Sequence, residues 1–196
     1  MIETDTSSPP TSRAIPDGTP VVFRGAQCEV FYKENDPYPY IKHQIGERVA
    51  DLKLVNIPGS PGQYGIRSKS EQGDFSYESV LVPGNPVYNK VNGLIGELRI
   101  SANKVVVLHP DQILGVDYQP DFQALGAIPS AAWERIQALD GKDVFLRGRH
   151  LTLSNFDLSP GKYRFLFTSA TIHLQRGTRR YPMPLSCLKD LEESGE

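Results

Sequence analysis

Asp17-Gly18-Thr19-Pro20-Val21-Val22-Phe23-Arg24-Gly25 returns near the other end of the chain as Asp140-Gly141-Lys142-Asp143-Val144-Phe145-Leu146-Arg147-Gly148. Aligned without gaps, the two stretches share Asp, Gly, Val, Arg and Gly at matching places. The residues around and beyond them keep one phase, with Val21, Phe23, Cys28 and Val30 opposite Val144, Leu146, Leu151 and Leu153. Alternation of apolar and polar residues is the period of a half-buried strand, and Asp-Gly before it is a turn signal. Each stretch therefore reads as turn, strand, Arg-Gly kink and strand, and the chain as a duplicated small β unit. A Gly inside such a run predicts a bulge or a tight corner, because without a Cβ the strand can bend sharply.

Composition fits that reading. The chain has 196 residues, of which 39% are hydrophobic and 9% aromatic, enough for one sizeable domain or two or three small ones. Its 17 Gly and 16 Pro suit many short strands joined by tight turns and argue against a helical bundle. A net charge of -2 excludes a generally basic nucleic-acid coat and leaves room for a local patch. Two cysteines, Cys28 and Cys187, cannot form a disulfide-rich scaffold. Both are expected at core-facing strand positions as small hydrophobes, in the cytoplasm or another reducing compartment. The acidic N-terminal residues do not fit a signal peptide, and no apolar run approaches the roughly 18 residues of a membrane span. No membrane partner is expected.

Residues 1–14, rich in Ser, Thr and Pro, are expected to be a disordered tail. A first β unit occupies residues 15–83, with a Tyr- and Pro-rich loop at 32–40. Residues 84–128 form a β-hairpin connector or a partial third unit. A linker helix follows at 129–139, where Ala132, Trp133, Ile136 and Leu139 make one apolar stripe and Gly141 is a plausible stop. A second unit spans 140–189, and 190–196 is an acidic tail. Residues 64–81, 98–114 and 170–188 share one pattern, a strand, a turn, a second strand and a short segment ending in Leu. A hairpin that enters a tight turn before a last short strand, together with the opening Asp-Gly phrase, resembles the SH3-like barrel superfamily. The fold class expected is mainly β, with tandem SH3-like small barrels and one short connecting helix. The Ala-Leu-Tyr-Asp-Tyr run, tandem tryptophan and Pro-Ser-Asn-Tyr turn of signalling SH3 domains are absent. The resemblance thus implies the barrel and not a proline-peptide groove.

Chemistry-bearing motifs are sparse. His43, His109, His150 and His173 are scattered without metal-ligand spacing, and His109-Pro110-Asp111 reads as a turn. No nucleophile elbow or phosphate-cradling glycine loop occurs, so neither an enzyme nor a cofactor is expected. A hydrolase without a recognisable motif is the least favoured reading. Tyr32, Tyr38 and Tyr40, with Tyr77 expected beside them, are candidates for an aromatic protein-binding shelf, against the alternative that they pack the loop onto its own unit. Residues 140–184 carry eight basic side chains against three acidic ones. Arg147, Arg149, Arg176, Arg179 and Arg180 are candidates for binding nucleic acid or another anion, the last three at a hairpin tip; the alternative is pairing with the acidic tail. The function expected is a non-enzymatic adaptor or assembly factor that contacts protein partners, with nucleic-acid binding second.

Overall fold

The computed structural model describes residues 15–101, 104–108 and 121–195. The expected N-terminal tail and the His109-Pro110-Asp111 turn lie outside the described residues. The chain is mainly β. The first unit holds β1 (Pro20–Phe23), β2 (Ala26–Glu29), β3 (Phe31–Tyr32), β4 (Pro39–Ile45), β5 (Arg48–Asn56), β6 (Tyr64–Lys69) and β7 (Phe75–Val80). A middle sheet holds β8 (Pro86–Asn89), β9 (Ile95–Ser101), β10 (Lys104–Leu108) and β11 (Leu125–Ala127), the last entered from a 3-10 turn at Phe122–Ala124. After α1 (Ser130–Leu139) come β12 (Asp143–Leu146), β13 (His150–Leu151), β14 (Asp157–Leu158), β15 (Gly161–Thr168), β16 (Thr171–Arg176) and β17 (Arg179–Met183). A 3-10 segment at Leu185–Asp190 then leads into β18 (Leu191–Glu193). All pairings are antiparallel, in the orders β3-β4-β5-β6-β7, β10-β9-β8-β11 and β17-β16-β15-β12-β18, with β1-β2 and β13-β14 as separate pairs.

Strand β1 is buried on both faces. Val21 and Phe23 enter the first core with Ile41, Leu54 and Val80. Between them Val22 points the other way, into the core of the middle sheet with Leu81, Val87, Leu98 and Leu125. The Val22 N–H donates to Leu81 O at 2.9 Å and the Leu81 N–H to Val22 O at 2.8 Å, so β1 is also tied to the segment that follows β7. At the other end of the middle sheet Ile95 and Ile128 belong to the third core, with Val144, Leu146, Phe165 and Ile136 of α1. Cores of this kind gain about 25 cal/mol per Å² of apolar area removed from water, and sharing side chains makes that gain common to neighbouring units. Polar contacts close the same seams. The buried Gln63 side chain donates to Ile128 O at 2.5 Å. Asn85 donates to Gly62 O and accepts from the Val82 N–H, both at 3.1 Å.

The helix begins after Pro129 and buries Ile136 and Leu139, as its stripe implies, while Trp133 meets Phe167 edge-on. The two repeated phrases adopt the same turn backbone: φ is +79° at Gly18 and +81° at Gly141, and +74° at Gly25 and +75° at Gly148. Such values favour glycine, which has no Cβ to clash. Beyond the Arg-Gly step the phrases part. Arg24-Gly25 is the two-residue turn of the β1–β2 hairpin, which pairs Val21 with Cys28. In the second phrase β13 pairs with β14 instead of β12, and Leu151 is exposed. Two other expectations are corrected. Residues 190–195 are not a free tail, because β18 pairs with β12. Cys187 is buried on the 3-10 segment, not on a strand.

Hairpin β15–β16 turns through Ser169 and Ala170, at φ +52° and +57°, between the paired residues Thr168 and Thr171. This left-handed backbone suits Asn-Gly and costs other residues about 1 kcal/mol or more each. The turn is held because Ala170 is buried and its carbonyl accepts from the Ile95 N–H at 2.8 Å, docking the third unit on the middle sheet. Ser169 is exposed. Ser169→Asn is expected to raise stability by about 0.5–1 kcal/mol in chemical denaturation.

Candidate functional site

The tyrosine segment is a hairpin and not a long loop, since β3 pairs with β4 with Phe31 opposite Tyr40 and Tyr32 opposite Pro39. Two of its tyrosines are structural. The Tyr32 hydroxyl donates to Ile15 O at 2.5 Å. Tyr40 is only 9% exposed, and its hydroxyl donates to Asp36 Oδ2 at 2.6 Å. The Asp36 carboxyl is held below the usual carboxylate range by that hydroxyl first, then by the Tyr38 backbone N–H and the charges of Lys53 and Lys33; the phenol of Tyr40 is raised in return. Tyr38 differs. It is 45% exposed, and the Lys53 ammonium stands 3.7 Å from its ring centre. Lys33 over Tyr40 at 4.5 Å and Lys42 over Phe31 at 5.5 Å complete a face on which lysines and rings interleave. Tyr77 lies opposite Arg67 on β7, with β4, β5 and β6 between it and β3 in the sheet. It was expected beside the hairpin and is placed apart from it.

In the third unit the cations divide into two groups. Lys142 pairs with Glu193 at 2.6 Å, Arg147 with Glu192 at 3.0 Å, Arg149 with Asp157 at 3.5 Å and Arg164 with Asp143 at 3.4 Å. Thus Arg147, with Lys142, joins the C-terminal acids, and Arg149 is engaged locally. At these exposures each pair is worth little, but each cancels a local charge. Lys162, Arg176, Arg179 and Arg180 have no carboxylate within 4 Å among the described residues. Neutral groups hold two of them. The Arg176 guanidinium lies 4.1 Å from the Tyr163 ring centre, and Arg180 donates to Gln175 Oε1 at 3.0 Å. Gly161, at φ +151°, leaves the space Arg176 occupies, for a Cβ there would overlap the guanidinium. Lys162, Tyr163, Arg164, Gln175 and Arg176, with Asp143, line a shallow concavity of about 450 Å³.

One exposed ring borders this cluster. Phe145 occupies in the second phrase the place of Val22 in the first, yet it is 45% exposed where Val22 is 2% exposed. The difference lies in what covers the strand. The middle sheet packs on Val22, whereas among the described residues the corresponding face of β12 carries only its own neighbours, with Lys162 of β15 and Glu192 of β18 directly across from Phe145. Arg164, Gln175 and Arg180 continue in register across β15, β16 and β17. This face was not singled out in the sequence. Its signal was the substitution of Phe145 for Val22 within otherwise matching phrases, together with Lys162 one strand away.

Elsewhere the reactive groups are muted. Burial pushes the Cys187 thiol up to about 12 and also raises Cys28, so both are poor thiolates near neutrality. Among the described residues no three His, Cys, Asp or Glu side chains are grouped to hold a metal ion. His43 packs edge-on against Phe23, and His150 pairs with Asp190 at 3.0 Å. A cleft of about 410 Å³ between the first unit and the middle sheet is walled by Arg24, Glu78, Lys90 and Gln123. Arg24 and Glu78 close on each other there through two 2.8 Å hydrogen bonds. No helix among the described residues is long and apolar enough to cross a membrane. No family model, curated protein or solved structure matches the chain.

His173, between Leu166 and Pro182 on the open sheet, titrates below the ordinary histidine value. Burial is the main cause and the charge of Arg180 adds to it, opposed by the backbone of Thr171; its Nδ1 has no hydrogen-bond partner among the described residues. The folded chain therefore resists protonation there, and the unfolded chain takes up the proton first as pH falls below about 6.5. Stability from this group is full above that pH and is lost as pH falls through the depressed value. In urea titrations, the stability of His173→Gln relative to the wild type is expected to rise as pH is lowered from about 7 to about 5.

Proposed function

We propose that the protein is a non-enzymatic binding module, an adaptor or assembly factor, built on two copies of an SH3-like barrel and docking protein partners on open sheet faces. Support for the barrel reading comes from the order β17-β16-β15-β12-β18 with a 3-10 segment before the last strand, and from the matching glycine backbone in the two phrases. The observation that carries the docking reading is Phe145. A position buried under a second sheet in one copy is an exposed ring in the other, with three cations on the same face. Exposed aromatics flanked by Arg are the residues that anchor protein interfaces. Tyr38, over which Lys53 sits, gives the first unit a smaller anchor of the same kind.

A buried and a half-buried thiol, both with raised pKa, and the engagement of His43 in packing and His150 in pairing favour binding over catalysis. The free cysteines suit a reducing compartment, the cytoplasm first. Nucleic acid is the second reading, favoured by Lys162, Arg176, Arg179 and Arg180 having no carboxylate partner among the described residues and reduced to those cations by the engagement of Arg147 and Arg149.

Affinity capture with the intact chain, with and without nuclease, tests both readings. Phe145→Ser and Tyr38→Ala are expected to leave the thermal midpoint within about 2 °C and to lower recovery of a nuclease-resistant protein partner. Tyr40→Ala is expected to lower the midpoint by about 4 °C or more, because Tyr40 is part of the fold. Recovery that disappears with nuclease favours the second reading, and recovery unchanged in Phe145→Ser and Tyr38→Ala contradicts the first.

A further inference from the structure

We infer that the cationic concavity of the third unit is a seat for an acidic, extended segment of a protein partner, with Arg176 as its fork. The inference rests on the binding-module reading and names the chemistry of what docks there. Three observations carry it. First, the guanidinium of Arg176 is placed before any ligand arrives: the Tyr163 ring supports one face of it, and Gly161 supplies the room through a backbone conformation that side chains rarely adopt. The Arg176 Nε–H donates to Lys162 O at 3.5 Å, and a planar fork held by neutral groups in this way keeps its terminal N–H groups for a carboxylate; two parallel N–H···O bonds lose less entropy when the fork is already oriented. Second, the charge is complementary to an acid. Lys162 and Arg176 in the concavity, and Arg179 and Arg180 near the hairpin tip, have no carboxylate partner among the described residues, whereas Lys142, Arg147, Arg149 and Arg164 are each matched by an acid of the chain itself. Third, the surroundings suit a peptide better than a phosphate backbone. Asp143 lines the concavity, while Glu192, opposite Phe145, and Glu193 stand at the β18 edge. A nucleic-acid strand following a basic track would meet these carboxylates within a few residues. An extended peptide seated in the concavity, with carboxylates toward Lys162 and Arg176 and onward to Arg179 opposite Arg176, meets complementary groups along its length.

The test uses the full-length chain and a fluorescently labelled peptide of about a dozen residues, mostly glutamate with one central leucine. Its glutamine counterpart and an oligothymidylate of similar length serve as comparisons. The glutamate peptide is expected to raise anisotropy saturably, to lose affinity as salt rises and to bind more tightly than both comparisons. Replacing Arg176, Arg179 and Arg180 together by Ala is expected to weaken it about tenfold or more, and Arg176→Lys, which keeps the charge and loses the fork, by about threefold or more. Lys142→Ala, which removes a cation already matched by Glu193, is expected to leave affinity within about twofold. Circular dichroism establishes that each variant is folded. No saturable binding of the glutamate peptide, equal or tighter binding of oligothymidylate, or unchanged affinity in the triple variant overturns the inference. If it is overturned while Phe145→Ser still lowers partner recovery, the binding-module reading stands and only the acidic occupant fails.

Discussion

A strand buried on both faces is the constraint on which the rest of this fold depends. Successive side chains of a β-strand point to opposite sides, so Val21-Val22-Phe23 supplies two cores at once, and neither the first unit nor the middle sheet is complete without it. A shift of one residue in its register would exchange the two sets of side chains and spoil both cores. The paired hydrogen bonds between Val22 and Leu81 fix that register. The middle sheet then passes the constraint on, because Ile95 and Ile128 are as much a part of the third core as Phe165. Units that trade core side chains in this way give up independence and gain a defined orientation.

The same geometry explains where the surface is open. In the first unit the outer side of β1 is sealed by a sheet, so its centre is aliphatic. In the third unit nothing among the described residues seals β12, and its centre is an exposed ring flanked by charge. Charge follows the packing. Cations near β18 are matched by Glu192 and Glu193, and those toward the β16–β17 tip are supported by a ring and an amide. Matched pairs at the surface contribute little to stability or binding. Unmatched and pre-oriented guanidinium groups are where binding energy becomes available.

Much of this architecture was legible in the residues. Asp-Gly turns and alternating apolar positions located β1 and β12, the stripe from Ala132 to Leu139 located α1, and Arg176-Gly177-Thr178-Arg179-Arg180 marked a hairpin tip. What was not legible depends on contacts distant in the chain. Whether Leu151 continues the pairing of β12 or folds onto β14 is decided by Phe156, Asp157 and Leu158 and by the docking of Leu153 on Pro182, not by its own alternation. The acidic C-terminal residues read as a tail because their polarity hides Leu191, the one side chain that enters the core. Tyr32, Tyr38 and Tyr40 look alike in sequence, yet only Tyr38 lacks a hydroxyl bond into the fold that decides its exposure. Site residues such as Tyr163 and Gly161 gave no signal because their meaning is conferred by Arg176, fifteen residues from Gly161 and one strand away.

Native-state hydrogen exchange followed by NMR tests most directly whether β1 binds the molecule into one cooperative body. The amides of Val22, Leu81 and Ile95 and that of Phe165, which donates to Lys142 O, are expected to exchange with a common opening free energy. Val22→Ala is expected to lower that free energy equally at all four. Protection lost around Val22 and Leu81 with Phe165 unchanged would contradict the account, because the third unit would then stand without the strand that is said to join them.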